Sequence, residues 1–456
     1  MRPLAAALAL AALGACGVEA GPGDARNVLL ITLDTTRADH LSCYGYGAAT
    51  TPRIDALAAE GALFERCITT AALTPVAHAS ILTGLDPQQH GLRVLDAGSG
   101  WRLRPEVPTL AGVLGRAGWA TAAVLSAFPV SAHFGLQHGF GHFDDGMRAE
   151  PLYPDGGEPR RVDGPQADRQ RRSDATTDAA VAWLDARAEG PFFLWVHYWD
   201  PHDAILLPPD AEARAEELAR TLGVSRAAAL YDVELSYMDA QLGRLFDALD
   251  ERGLDDSTLV VLTADHGEGL GEHDWDSHRL LYDEQVHVPL VVRAPGSPAG
   301  VRVPTQVRVT DVFPTVLAWT GVAAPRPVAG LDLSALLGGA REPDRLAYAE
   351  ALIRWDTRAQ GLREARPQDD DLLHSVGDGT LKLIYRPLHP EASELYDLAR
   401  DPDEATNLYA VDDPRAVRLR ERLEALDAFA LEPLGAGEID PEAAEALRAL
   451  GYAGDG

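Results

Sequence analysis

The feature that most constrains this chain is a repeated alternation of short apolar runs with stretches of helical spacing. "NVLLITLD" at residues 27–34 is the first run, continuous in Val, Leu and Ile and closed by Asp34, the pattern of a strand buried on both faces. "TPRIDALAAEGALFERC" reads as a helix that starts near Pro52, stops at Gly61 and leads into a strand. The same rhythm returns in "TLAGVLGRAGWATAAVL", "DAAVAWLDARAEGPFFLWVHYWD" and "SYMDAQLGRLFDALDERGLDDSTLVVLTADHG". Strands that alternate with amphipathic helices predict an α/β fold, a mostly parallel sheet flanked by helices. Ligands of such sheets gather beyond the carboxyl ends of the strands, where Asp34, Asp200 and Asp265 emerge.

The rhythm changes near residue 345. "LAYAEALI", "HSVGDGTLKLIYRP" and "SELYDLARDPDEATNLYA" look like short antiparallel strands with a glycine turn, followed by a helix at 413–429 and one more short helix in the tail "DPEAAEALRALGY". The division expected is a signal at 1–15, a linker at 16–26, a catalytic domain at 27–340, and a smaller α+β subdomain with a helical tail at 341–456. At the other end, "MRPLAAALALAALGACGVEA" has one arginine, an apolar run too short to span a bilayer, and then LGAC. This is similar to a bacterial lipoprotein signal, which implies cleavage before Cys16, lipid attached to it, and an exported protein held at the cell envelope through that anchor alone. Cys43 and Cys67 then lie in an oxidising compartment where a disulfide is permitted, and spacing alone leaves their pairing open.

Charge narrows the partners. Acidic residues number 70 against 40 basic ones, for a formal charge of -30, and every basic residue except Lys382 is arginine. Such a surface repels nucleic acid and anionic headgroups, so an anionic substrate must be drawn in by a metal or by a local set of donors.

"TADHGEGLGEH" supplies candidates for that metal. It places Asp265 and His266 side by side after an apolar strand, a hard and a borderline ligand for one divalent ion, and Asp34 from another strand end is a third. A strand-end aspartate is also a common helix cap. "TPVAHASILTGLDPQQHG" at 74–91 poses the same choice for Thr74, a nucleophile or a cap, with His78 four residues on.

These pieces together with "NVLLITLDTTRADHLSCYGY", "GFGHFDD", "LYDEQVHVPLVV" and "ELYDLARDPDEATNL" resemble the sulfatase family of the alkaline phosphatase superfamily, in family order and over nearly all of the mature chain. The resemblance implies that Asp34, Asp265 and His266 ligate a divalent metal (calcium, magnesium, manganese or zinc), and that the residue ten before Gly84, Thr74, is both nucleophile and metal ligand. Sulfatases carry CxPSR or SxPSR at that place, with the first residue converted to formylglycine. This chain reads TPVAH, which threonine chemistry cannot convert, and the Thr with a His four residues on is similar to the branch with TxPxH. Where sulfatase pockets use lysines for the anion, His78, His202 and His278 are the replacements here, with His202 also the acid for the leaving oxygen. A second metal, through Asp200, has weaker support because the position four after it is Ala204. For His90 and His273 a structural role competes evenly with a functional one.

The chemistry expected is hydrolysis of sulfate or phosphate esters of a small molecule, glycan or lipid through a covalent threonine ester. A threonine ester is cleared by a second displacement at the central atom, which favours phosphate. Two rivals stay open: a phosphoryl or headgroup transferase of the same superfamily, and a catalytically degenerate lipoprotein that binds an anion or glycan.

Overall fold

The structure is a computed structural model that describes residues 23–93, 102–147, 169–202, 205–352 and 372–429. Cys16, the expected signal and the tail helix lie outside the described residues. As the alternation predicts, a large sheet forms the core. Its strands are β1 (Asn27–Leu33), β2 (Ala62–Ile68), β3 (Ala120–Val124), β4 (His142–Asp144), β5 (Phe192–Tyr198), β6 (Thr258–Ala264), β7 (His287–Arg293), β8 (Val301–Val303) and β9 (Val307–Arg308). They lie in the order β4-β3-β5-β1-β6-β7-β2-β8, with β9 also on β2. β1 sits between β5 and β6 and runs parallel to both. Every residue of these three strands is buried, as their apolar runs require.

β7 departs from the parallel rule. It runs antiparallel between β6 and β2, so the sheet is mixed at that side. The short helix Asp283–Val286 feeds straight into β7, and the rest of the stretch between Ala264 and His287 forms the loop that carries Asp265 and His266 rather than a helix long enough to cross the sheet. Helix Pro52–Glu60 starts at its proline and ends before Gly61. Helix Thr74–Thr83 is buried along its whole length, and helix Arg226–Glu251 carries a buried face of leucines along its 26 residues. Among the described residues no helix is long and apolar enough to cross a membrane.

The C-terminal strands β10 (Ala347–Leu352), β11 (Leu372–Gly377), β12 (Leu381–Tyr385) and β13 (Glu394–Asp397) form a separate antiparallel sheet. Helix Pro414–Ala425 covers it, packing Leu419 and Leu423 against Val376, Leu383 and Leu395. The smaller sheet is fastened to the larger domain by the Glu350 N–H, which donates to the Thr70 carbonyl at 2.9 Å, and by the buried pair of Arg93 with Glu350 at 2.6 Å. Cys43 and Cys67 are both free thiols.

Candidate active site

The carboxyl ends of β1 and β6 lie next to each other, so Asp34 and Asp265 come together from opposite halves of the chain. Asp265 Oδ1 accepts from its neighbour's N–H, His266, at 2.8 Å and from Thr35 N–H at 3.1 Å. Its other oxygen has no hydrogen-bond partner although it is fully buried. Asp34, Asp265 and His266 each offer a ligand atom within 4.8 Å of the others, the one such group found among the described residues. Two buried carboxylates that converge so closely repel one another unless a cation lies between them. Two oxygens and one imidazole nitrogen suit a divalent ion, so the donor set fits the metal that the sequence implies.

The imidazole's proton is placed by its neighbours. His266 Nδ1 lies 2.9 Å from the Gly267 carbonyl, which can only accept, so Nδ1 carries the hydrogen and Nε2 presents its lone pair. Thr74 Oγ1 lies 3.2 Å from that Nε2. Thr74 is the first residue of its helix, whereas the cap position belongs to Leu73, which offers no side-chain cap. The threonine hydroxyl is therefore turned to the ligand group. Pro75 at the second helical position loses nothing, because an N–H there has no partner within the helix.

His78 lies one turn further along and below this group. Its Nδ1 donates to the Thr74 carbonyl at 2.8 Å and its Nε2 accepts from the Thr32 hydroxyl at 3.0 Å, which in turn accepts from Trp195 Nε1 at 2.9 Å. Burial lowers its pKa against the pull of Asp265. With both nitrogens engaged, the ring orients the Thr74 turn. The other two histidines form a row above. The His266 and His278 rings are 4.6 Å apart, His278 and His202 are 5.2 Å apart, and His202 stacks at 3.7 Å on Trp199. His278 Nδ1 meets Glu268 Oε2 at 3.1 Å, and burial, with His266 and Arg279 beside it, puts the His278 pKa well below the ordinary value.

Asp200 stands apart from the ligand group. Its Oδ1 accepts from the Ser173 N–H at 3.2 Å and hydroxyl at 2.7 Å, so it caps helix Ser173–Ala186 from outside, and burial raises its pKa to about 6. His90 bonds Ser80 and the Leu92 N–H, with its pKa pushed down to about 3 by burial. His273 pairs with Glu284 at 2.9 Å and stacks on Tyr282. Both are structural in this arrangement.

Several residues at the site were not singled out from sequence. His197, on β5, reaches Asp34 Oδ2 through Nε2 at 3.1 Å and Ser126 Oγ through Nδ1 at 3.0 Å. A histidine inside the apolar run "FFLWVHY" was the available signal. Thr35 has φ 47, a left-handed conformation that a β-branched residue rarely accepts, and its strained peptide delivers the N–H to Asp265. Arg279, with φ 94, brings a guanidinium charge beside Glu268 and His278.

Sequence comparison matches residues 26–322 to the Sulfatase family and residues 271–428 to the family described as N-sulphoglucosamine sulphohydrolase, C-terminal. The chain belongs to the sulfatase family. Among the relatives of this sulfatase-family hydrolase, the multifunctional alkaline phosphatase superfamily protein PehA of Trinickia caryophylli is 28% identical over 84% of this chain and 91% of its own length. An arylsulfatase of Clostridium perfringens is 24% identical over 90% of this chain and 94% of its own. The crystal structure of the phosphonate monoester hydrolase of Agrobacterium radiobacter superposes with a TM-score of 0.63 at 25% identity, covering 91% of this chain and all of that one (100%).

Proposed function

We propose that this sulfatase-family hydrolase cleaves sulfate and phosphate esters through a covalent intermediate on Thr74, with one divalent cation held by Asp34, Asp265 and His266. The observation that carries the reading is the fully buried Thr74 hydroxyl, 3.2 Å from His266 Nε2 and at the first helical position rather than at the cap. When bound, the cation would supply Lewis acidity that lowers the pKa of that hydroxyl and draws the ester's charge. Thr74 Oγ, its proton released to solvent, attacks sulfur or phosphorus in line, and the bond to the leaving oxygen breaks. His202, at the outer end of the histidine row, gives that oxygen its proton. His278, oriented by Glu268, and the Arg279 charge face the developing negative charge. Water then displaces Thr74 at the central atom. His78 and His197 hold Thr74 and Asp34 in place.

The names of the relatives, an arylsulfatase and a phosphonate monoester hydrolase, support a site that accepts both central atoms. Thr74 in place of a convertible residue favours phosphate, whose more highly charged transition state gains more from a cation. Rates on 4-nitrophenyl phosphate, its diester and 4-nitrophenyl sulfate under one metal condition test the ranking, and a sulfate rate above both phosphates reverses it. The lipid anchor at Cys16 is a separate proposal, resting on LGAC alone. Cys16→Ser should move the protein from the membrane fraction to the soluble one, and wild-type protein that is already soluble refutes the anchor.

A further inference from the structure

Lys382 is the only lysine of the chain, and it is buried on β12 in the smaller sheet. Its ammonium lies 2.9 Å from Asp283 Oδ1 and 2.9 Å from Glu404 Oε1. Arg66 closes the square from β2, meeting Asp283 Oδ2 at 2.7 Å. Two cations thus balance two carboxylates, and the side chain between the carboxylates is a compact point charge with three donors, for which a planar guanidinium is a poor substitute. Elsewhere the chain uses arginine throughout, so the exception marks a place where shape decides.

The square grips one end of helix Asp283–Val286. Besides its ion pairs, Asp283 gives its N–H to Glu404 Oε2 at 2.6 Å, and His273 ties the next residue, Glu284, at 2.9 Å while lying 3.4 Å from the Glu404 carbonyl. Glu404 holds φ 51, a strained backbone that the network keeps in place. The other side of the same helix touches the ligand loop. Gly267 N–H donates to the Gln285 carbonyl at 2.9 Å, and a Cβ on Gly267 would stand 2.0 Å from the Glu284 carbonyl oxygen. The Gly267 carbonyl, in turn, is the group that orients His266.

We propose that Lys382 is a positioning residue for the metal ligand His266, acting from the smaller sheet through helix Asp283–Val286 and the Gly267 peptide. The inference rests on the proposed metal group but reaches beyond it, because it makes the smaller sheet part of the site's own support. Groups that orient a ligand from behind typically change metal affinity by 10–100-fold, and for one acting through a helix we expect about tenfold.

The test uses the full-length protein and compares wild type with Lys382→Met and Lys382→Arg. Titration calorimetry with manganese should show binding weakened about tenfold in Lys382→Met and partly restored in Lys382→Arg. Hydrogen exchange on the metal-free protein gives a second readout: amides at 265–270 should exchange faster in Lys382→Met. His273→Phe, which keeps a ring on Tyr282 and cuts the bonds to Glu284 and to the Glu404 carbonyl, is the milder variant should Lys382→Met not fold. It should show the same faster exchange to a smaller degree. Faster exchange confined to β12 and β13, or wild-type manganese affinity in a destabilised Lys382→Met, overturns the proposal. If wild type itself binds no manganese, the metal reading fails by that result, while the exchange arm still decides whether the loop is held from Lys382.

Discussion

Two aspartates follow neighbouring strands of one sheet and have opposite fates. Asp34 leaves β1 beside β6, the strand that brings Asp265, and its carboxylate joins two other ligand atoms within 4.8 Å. Asp200 follows β5, on the other side of β1, and its carboxylate turns back to the first residue of helix Ser173–Ala186. The residue type is the same, but Asp34 directly follows Leu33 whereas Asp200 lies one residue further past its strand, beyond Trp199. The surroundings differ too: the neighbouring strand β6 delivers a second carboxylate with an imidazole to Asp34, while the helix that leads into β5 presents its N-terminus to Asp200. A strand-end aspartate is thus a ligand only in company.

The comparison can be broken most directly at Thr74, the group that the ligand side serves. Thr74→Ala should lower turnover of a 4-nitrophenyl ester by about a thousandfold or more while leaving metal content unchanged. Near wild-type rates would return Thr74 to a structural role. Next in size is Asp265→Asn. A cation at a hundredfold excess over its dissociation constant stabilises the native state by about 3 kcal/mol, an increment this variant should lose. Melting with and without metal, with elemental analysis of the purified protein, would show it, and full occupancy in the variant would place the metal elsewhere.

Asp200→Asn should do neither of these things. Because burial raises the Asp200 pKa to about 6, the folded state holds that proton more tightly than the unfolded chain does. Its contribution to stability therefore falls as pH rises from about 4, the ordinary aspartate value, to about 6, and is level above. An amide keeps the acceptor for Ser173 and never ionises, so the variant should melt at or above the wild-type temperature at pH 8 and keep its metal. A loss of metal in Asp200→Asn would erase the distinction between the two strand ends. The smallest effect concerns the histidines. Burial lowers the pKa of both His78 and His278 from the ordinary histidine value, so their titration is displaced to the acid side of the interval from 6.5 to 8. The rate on an aryl ester should show no fall in that interval from their titration, and a fall traced to His78 by the His78→Gln variant would show that the ring is charged.

Sequence made Asp34, Asp265 and His266 legible because each stands where an apolar run breaks off, and it singled out Thr74 through the resemblance of its segment to the family pattern. It left Asp200 ambiguous because the same break also marks caps, and only the position of Ser173, 27 residues away, resolves it. It hid His197 and Thr32 because a polar residue inside a buried strand looks like a fault in the core until its cross-strand partner is known; these two face each other in the β1–β5 register. The antiparallel course of β7 was equally hidden, since apolar continuity says that a strand is buried and nothing of its direction. Lys382 was visible as a compositional exception, but its reach to the site runs through a helix contact that no local pattern encodes.

The hydrogen bond from Thr35 to Asp265 joins residues 230 apart in sequence, and the pairing of β1 with β6 has a similar span. Such contacts close last, because a long loop must be ordered before they return any energy. At a synthesis rate of 5–20 residues per second, β1 waits roughly 10–50 s for its partner strand to be made. Until β5 is made both edges of this apolar strand are uncovered, and from then until β6 follows one edge still is, a template for wrong pairing. The strand that carries Asp34 is therefore where this chain most needs a chaperone, and a slowed or truncated translation product that lacks β6 should aggregate through it.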